Sequence, residues 1–182
     1  MTACRASPEN SPATICWAKF FPASASENKV IRPATPDDIP VIERIVAQAY
    51  RPYIARIGAT PGPMLDDYTA RVGQGVVHVL QEGGAIHAVL VLIPEPGCLL
   101  LDNIAVLPSA QGKGYGRVLM QYAEDVARLA GYSTIRLYTQ EMMTENISIY
   151  LRYGYVETHR AQELSLHRVF MKKTLHQNPK AE

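Results

Sequence analysis

Between Val106 and Arg117 the chain reads Val-Leu-Pro-Ser-Ala-Gln-Gly-Lys-Gly-Tyr-Gly-Arg, with glycines at 112, 114 and 116. An apolar strand ends, the backbone turns at Pro108, and an amphipathic run opens immediately after. Glycines here remove the side chains that would hold a ligand away from the main chain. The N–H groups of a helix's first turn have no internal acceptor and sit at the positive end of its dipole. Such a turn cradles an anion, and a pyrophosphate fits it well. Lys113 and Arg117 add mobile positive charge at the rim. A P-loop requires Ser or Thr after its Lys, whereas Lys113 precedes Gly114. A dinucleotide fingerprint requires Gly-x-Gly-x-x-Gly, whereas these glycines are spaced Gly-x-Gly-x-Gly. Both of those readings fail on spacing.

The elements that must position this loop follow from periodicity. Lys29–Pro33 reads as a first strand. Thr35-Pro36-Asp37-Asp38 is a helix start, with a capping hydroxyl, an early Pro and acids in the first turn. Ile39, Ile42, Ile45, Val46 and Ala49 continue at helical spacing. From Tyr50 to Pro63 the period is lost and a loop is expected, with Met64–Val72 a short second helix. Val76–Gln81 and Ala85–Ile93 are strands joined by Glu82-Gly83-Gly84, a hairpin signal. Cys98–Val106 is the next strand. A helix from about Gly116 to Ala130 follows, its apolar stripe running Val118, Leu119, Tyr122, Ala123, Val126 and stopped by Gly131. Thr134–Thr139 is a buried strand, 146–153 a short helix, and Tyr155–Ala161 with Leu166–Thr174 two closing antiparallel strands. This order predicts an α/β (α+β) fold, a mixed sheet with helices on both faces. Residues 1–28, rich in Ala, Ser and Pro without a period, read as a flexible N-terminal extension. Residues 29–176 form the domain, and 177–182 a C-terminal tail.

The loop and its setting resemble the GCN5-related N-acetyltransferase (GNAT) family. Its cofactor motif is Gln or Arg, two residues, Gly, one residue, then Gly or Ala, and Gln111 to Gly116 fits at every position. Ile104-Ala105-Val106-Leu107-Pro108 is similar to the family's approach strand and turn. Tyr150 stands four residues before Gly154-Tyr155, where family members often carry a Tyr. The likeness covers about Lys29 to Leu175 and implies a mixed, mostly antiparallel central sheet. It also implies acetyl-CoA as cofactor and N-acetylation of a primary amine. On this resemblance Gln111, Gly112, Lys113, Gly114, Tyr115, Gly116 and Arg117 hold the pyrophosphate. Ile104, Ala105 and Val106 offer backbone groups to acetyl and pantetheine, and Asn146 is a cofactor contact. Tyr150 is the proton donor to the departing thiolate. The acceptor is expected beside the first helices, at Tyr50, Tyr53 and Asp67, with Arg56, Met64 and Tyr68 as neighbours. Asp102 and Glu141 are candidate bases, and neither is assigned. Each residue also has a plain structural reading: Tyr150 as a core aromatic, Asn146 as a helix cap, Asp102 as a hydrogen-bonded strand residue.

Composition narrows the partners. A formal charge of +1 over 182 residues, without a dense Lys/Arg block, argues against nucleic acid. The longest apolar run, Ala88–Ile93, is far shorter than the roughly 20 residues that span a bilayer. Cys4, Cys16 and Cys98 lack metal spacing and read as free thiols in a reducing compartment, so a cytoplasmic protein is expected, without metal. The five histidines pair with nothing at ligand spacing. A homodimer is compatible with the sequence, though no residue demands it. A small-molecule amine is the leading acceptor; a protein N-terminus or lysine, and a non-catalytic CoA-binding module, are the alternatives.

Overall fold

The computed structural model describes residues 29–163 and 166–176, so the expected extension and tail lie outside the described residues. Seven strands form one sheet: β1 (Lys29–Pro33), β2 (Val77–Glu82), β3 (Ala85–Glu95), β4 (Cys98–Val106), β5 (Thr134–Gln140), β6 (Val156–Glu163) and β7 (Leu166–Thr174). Their order across the sheet is β1-β2-β3-β4-β5-β7-β6. Every neighbouring pair is antiparallel except β4 with β5. That exception follows from the connection, since α3 (Tyr115–Leu129) is a crossover long enough to return the chain to the strand's starting end.

The unbroken apolar run in β3 exists because both faces of the sheet are covered. Ala88, Leu90 and Leu92 join Leu119, Met120, Ala123 and Val126 of α3 in one core. Val89 and Val91 join Ile42, Ile45 and Val46 of α1 (Ile39–Ile57), with Tyr68 and Val72 of α2 (Tyr68–Gly73), in the other. Each Leu or Val so buried contributes about 1.5–3 kcal/mol. The short α4 (Thr144–Arg152) lies on the α3 side, where Tyr150 completes that core.

The start of α1 is built as its sequence requires. Asp38 accepts from the Thr35 main chain at 2.8 Å and hydroxyl at 2.9 Å, and Arg32 clamps the same carboxylate at 2.7 and 3.0 Å. Its far end corrects the expected loop. The helix continues through Pro52 to Ile57, and Gly58, at φ 74°, ends it. An internal proline costs roughly 3 kcal/mol, but the helix is tethered on both sides of it, by Tyr50 to Asn103 and by Arg56 to Glu145. The period faded because Tyr53 lines a cavity and Tyr50 is shared between the cavity and the core. The expected second helix is also divided, into a 3-10 turn at Gly62–Met64 and α2.

Two irregularities in β4 open the middle of the sheet. Val91 pairs with Asn103 and Leu92 with Leu101, leaving Asp102 as the extra residue of a bulge. Before it, Leu99 and Leu101 face α3; after it, Ala105 faces α1. β4 and β5 also pair only at Leu99–Ile135, Leu100–Arg136 and Leu101–Leu137, and then diverge.

Candidate active site

Where β4 leaves β5, the main chain of Asp102–Val106 loses its strand partner on that side. Two cavities meet at this gap. The larger, about 1120 Å³, runs along the glycine-rich loop and the start of α3; the smaller, about 190 Å³, lies toward α2 and the β5–β7 side. Tyr50, Ile104, Asn146 and Tyr150 line both and so form the junction.

The larger cavity gathers most of the residues expected to hold a cofactor. Ile104, Ala105 and Val106 form its strand wall, and Gln111, Gly112, Gly114, Tyr115, Gly116 and Arg117 its loop wall. Lys113 is outside the lining. Gln111 ties the loop back to the strand by donating to the Val106 carbonyl at 3.4 Å. Gly112 and Gly114 stand at φ 80° and 81°, backbone that a side chain disfavours. Gly116 is helical, and a Cβ there would meet nothing within 4 Å, only the open cleft. A cradle that Cβ atoms would narrow, above first-turn N–H groups without internal acceptors, fits a phosphate. Tyr115 contributes main chain only. Its ring is buried, its hydroxyl donates to Glu82, and it stacks on His87 at 5.4 Å, which anchors the helix start to the sheet.

Tyr150 is 7% exposed, and burial pushes its phenol well above the usual tyrosine range, so it stays protonated at neutral pH. Its edge opens onto the junction, and its ring rests on Tyr155 at 6.0 Å. Asn146 does not cap α4, whose N-cap is Met143; its amide lies against the Met143 sulfur at 3.6 Å and lines both cavities.

Of the residues expected to meet an acceptor, Tyr50 reaches the junction, with its hydroxyl donating to Asn103 Oδ1 at 2.7 Å. Tyr53 and Arg56 line the larger cavity instead. Arg56 bridges to Glu145 at 2.7 Å across its mouth. Asp67 lines neither; it caps α2 by accepting from the Ala70 main chain at 3.0 Å. Asp102 lines the smaller cavity, 8% exposed in its side chain, accepting from Tyr138 at 2.7 Å and facing Arg71 at 3.3 Å. Glu141 pairs instead with Arg160 at 3.7 Å, away from both cavities.

The smaller cavity also contains residues the sequence did not single out: Asp66, Arg71, Asn103, Tyr138, Met143 and Arg168. One signal was available for Asn103. Asp102-Asn103 interrupts an otherwise apolar strand, and a buried polar pair in such a strand requires partners. Among the described residues no group of His, Cys, Asp and Glu is placed to hold a metal ion, and no helix is long and apolar enough to cross a membrane.

Comparison with known proteins agrees with this geometry. The profile of the Acetyltransferase (GNAT) family matches residues 42–155. No match was found among curated proteins. Among solved structures, the ribosomal-protein-S18-alanine N-acetyltransferase of Escherichia coli superposes with a TM-score of 0.66 at 19% identity, covering 85% of this chain and 98% of its own. YncA of Salmonella typhimurium, solved with acetyl-CoA, gives 0.64 at 22% identity, covering 85% and 99%. The PaiA N-acetyltransferase of Thermoplasma acidophilum, solved with coenzyme A, gives 0.68 at 14% identity, covering 80% and 98%. These likenesses share the fold: one mostly antiparallel sheet with helices on both faces. With a glycine-rich turn at the head of α3, a gap between β4 and β5, and a family profile over most of the domain, the chain belongs to the GNAT family of acyl-CoA-dependent N-acetyltransferases.

Proposed function

We propose that the protein transfers acetyl from acetyl-CoA to the primary amine of a small molecule. The observation that carries the acceptor class is the modest size of the smaller cavity, about 190 Å³, lined by Pro61–Pro63, Tyr138 and Arg168. A peptide acceptor would need an open groove across the same place; a small amine fits a chamber.

Acetyl-CoA, when bound, supplies the acetyl carbon and a thiol leaving group. The loop from Gln111 to Arg117 would hold the pyrophosphate through main-chain donors, with Arg117 adding charge. Ile104 and Val106, past the point where β5 diverges, would present main-chain groups to the gap and orient the acyl end, with Ala105 between them and Asn146 alongside. Tyr150 would hydrogen-bond the departing sulfur. Its phenol is held above a thiol's range by burial, so it shares its proton in a hydrogen bond, and the proton that ends on sulfur comes from the amine nitrogen. The balance is one amine N–H and one thioester C–S bond broken, one amide C–N and one thiol S–H bond formed.

The test has two stages. Calorimetric titration with acetyl-CoA is expected to give micromolar binding. Thiol release is then followed over a panel of amino acids, aminoalcohols, short polyamines and arylalkylamines, alongside peptides with free N-termini. At least one small amine should react faster than every peptide, and Tyr150→Phe, losing one hydrogen bond to a developing charge, should cut that turnover by about 10–100-fold with acetyl-CoA affinity held. Faster acetylation of a peptide overturns the acceptor class; absent binding by folded protein overturns the cofactor.

A further inference from the structure

Building on that reading, we infer that Tyr50, Asn103 and Tyr68 form a one-way hydrogen-bond chain that turns the Tyr50 oxygen into the acceptor for an N–H of the incoming amine. Asn103 is then a positioning residue for transfer. The chain runs from the Tyr50 hydroxyl to Asn103 Oδ1 at 2.7 Å, from Asn103 Nδ2 to the Tyr68 hydroxyl at 3.0 Å, and from that hydroxyl to the Pro63 carbonyl at 3.0 Å. Asn103 is 1% and Tyr68 2% exposed, so water does not compete for the bond between them.

Its direction is fixed at the far end. A proline carbonyl can only accept, so the Tyr68 proton points at Pro63. The Tyr68 oxygen must then accept, which turns the Asn103 amide nitrogen toward it and the Asn103 carbonyl toward Tyr50. The Tyr50 proton is thereby committed to Asn103, and what its oxygen offers the junction is lone pairs. Burial, with the neighbouring phenols of Tyr150, Tyr68 and Tyr53, pushes the Tyr50 phenol well above the usual range, so it stays neutral. The two phenols at the junction are therefore unlike. Tyr150 has a proton to give, and Tyr50 has only a place to receive one in a hydrogen bond.

A neutral primary amine matches that place. It brings two N–H bonds and one lone pair, and spending one N–H on Tyr50 fixes how the lone pair is presented. No proton passes to Tyr50, because its oxygen accepts without being basic. The bulge at Asp102 makes the arrangement available, since it brings Asn103 onto the α1 side, where Tyr50 and Tyr68 lie. Through Pro63 the chain also ties the lining of the smaller cavity to the point of attack.

The test uses Tyr50→Phe, Asn103→Leu, their double variant and Tyr68→Phe, with the fastest primary amine of the panel as probe. Tyr50→Phe and Asn103→Leu should each lower kcat/KM for the amine on the order of 10–100-fold, while the acetyl-CoA Kd holds within about twofold. Because Asn103 acts through Tyr50, adding Asn103→Leu to Tyr50→Phe should cost less than about threefold more. Tyr68→Phe keeps the buried ring and frees only the chain's end; it should give a smaller loss of the same kind even where Asn103→Leu fails to fold. Unchanged kcat/KM in Tyr50→Phe, or losses that simply multiply in the double variant, would overturn the inference. Loss of acetyl-CoA binding in parallel with turnover would also overturn it, as a structural effect. A wild type that binds no acetyl-CoA, or acetylates no amine, fails at the proposed function instead.

Discussion

Replacing Gly116 by Ala should raise stability and leave cofactor affinity nearly unchanged, because the GNAT cofactor motif takes Gly or Ala at this position. Gly116 is the second residue of α3, in ordinary helical backbone, and a Cβ there meets no atom of the protein within 4 Å. Within a helix Gly is roughly 0.5–1 kcal/mol worse than Ala. The ligand-free variant should therefore melt about 1–4 °C higher, from a shift of 2–4 °C per kcal/mol for a chain of this size. A single methyl here borders the open cleft and leaves the first-turn N–H groups within reach of a pyrophosphate, as the motif's tolerance of Ala requires. The acetyl-CoA Kd should hold within about twofold, whereas losing one charge-assisted phosphate bond would cost about 1.5–3 kcal/mol, or a 10–100-fold weaker Kd. Thermal unfolding without ligand and calorimetric titration with acetyl-CoA read the two effects separately. Gly114→Ala is the contrast: at φ 81° a side chain costs about 1–2 kcal/mol, so both quantities should fall. A Gly114→Ala protein that binds acetyl-CoA as tightly as wild type would refute the cradle argument.

Two further outcomes concern pH. Burial pushes His78 down from 6.5 to about 4. Between those values the unfolded chain takes up a proton that the folded chain refuses, so stability falls on acidification through that window by about 3 kcal/mol. Urea midpoints against pH should show the slope, and His78→Leu should flatten it; equal slopes would remove His78 as the cause. Asp38 is shifted in the same direction by a different cause. Hydrogen bonds from Arg32 hold its carboxyl well below the usual range, with Thr35 assisting and burial opposing. Its contribution is therefore present above the unfolded value of about 4 and lost as pH falls below it. Asp38→Ala should cost about 2 kcal/mol at neutral pH and give a shallower acid limb than wild type, measured by the same urea series.

Strong local patterns made much of this architecture legible in the sequence. β4 and β7 begin and end where alternation and turn residues put them, and α3 lies within a residue of its expected span because one apolar stripe and one stop glycine define it. The turn from Gln111 to Arg117 was readable because its chemistry is carried by the main chain, and glycine spacing reports main chain directly. What was hidden depends on register and on distance. A bulge leaves composition and period nearly untouched, so nothing marked Asp102 as the residue where β4 changes face. The end of α1 was hidden because Pro52 and the cavity-lining Tyr50 and Tyr53 erased the stripe. The smaller cavity draws Asp66, Arg71, Tyr138 and Arg168 from three separate parts of the chain, and only folding shows that they meet.

The brevity of the β4–β5 ladder has a mechanical consequence. The sheet is two smaller sheets, β1 to β4 and β5 with β7 and β6, stitched by three residue pairs. The smaller cavity is lined from both banks of the seam, by Asn103 and Ile104 on one and Tyr138 to Gln140 on the other. Whatever occupies it becomes an additional stitch, so loosening of the seam and ligand release are linked equilibria. Amide exchange at Leu99–Leu101 and Ile135–Leu137 should therefore slow as the site fills, in residues that never touch the reacting atoms.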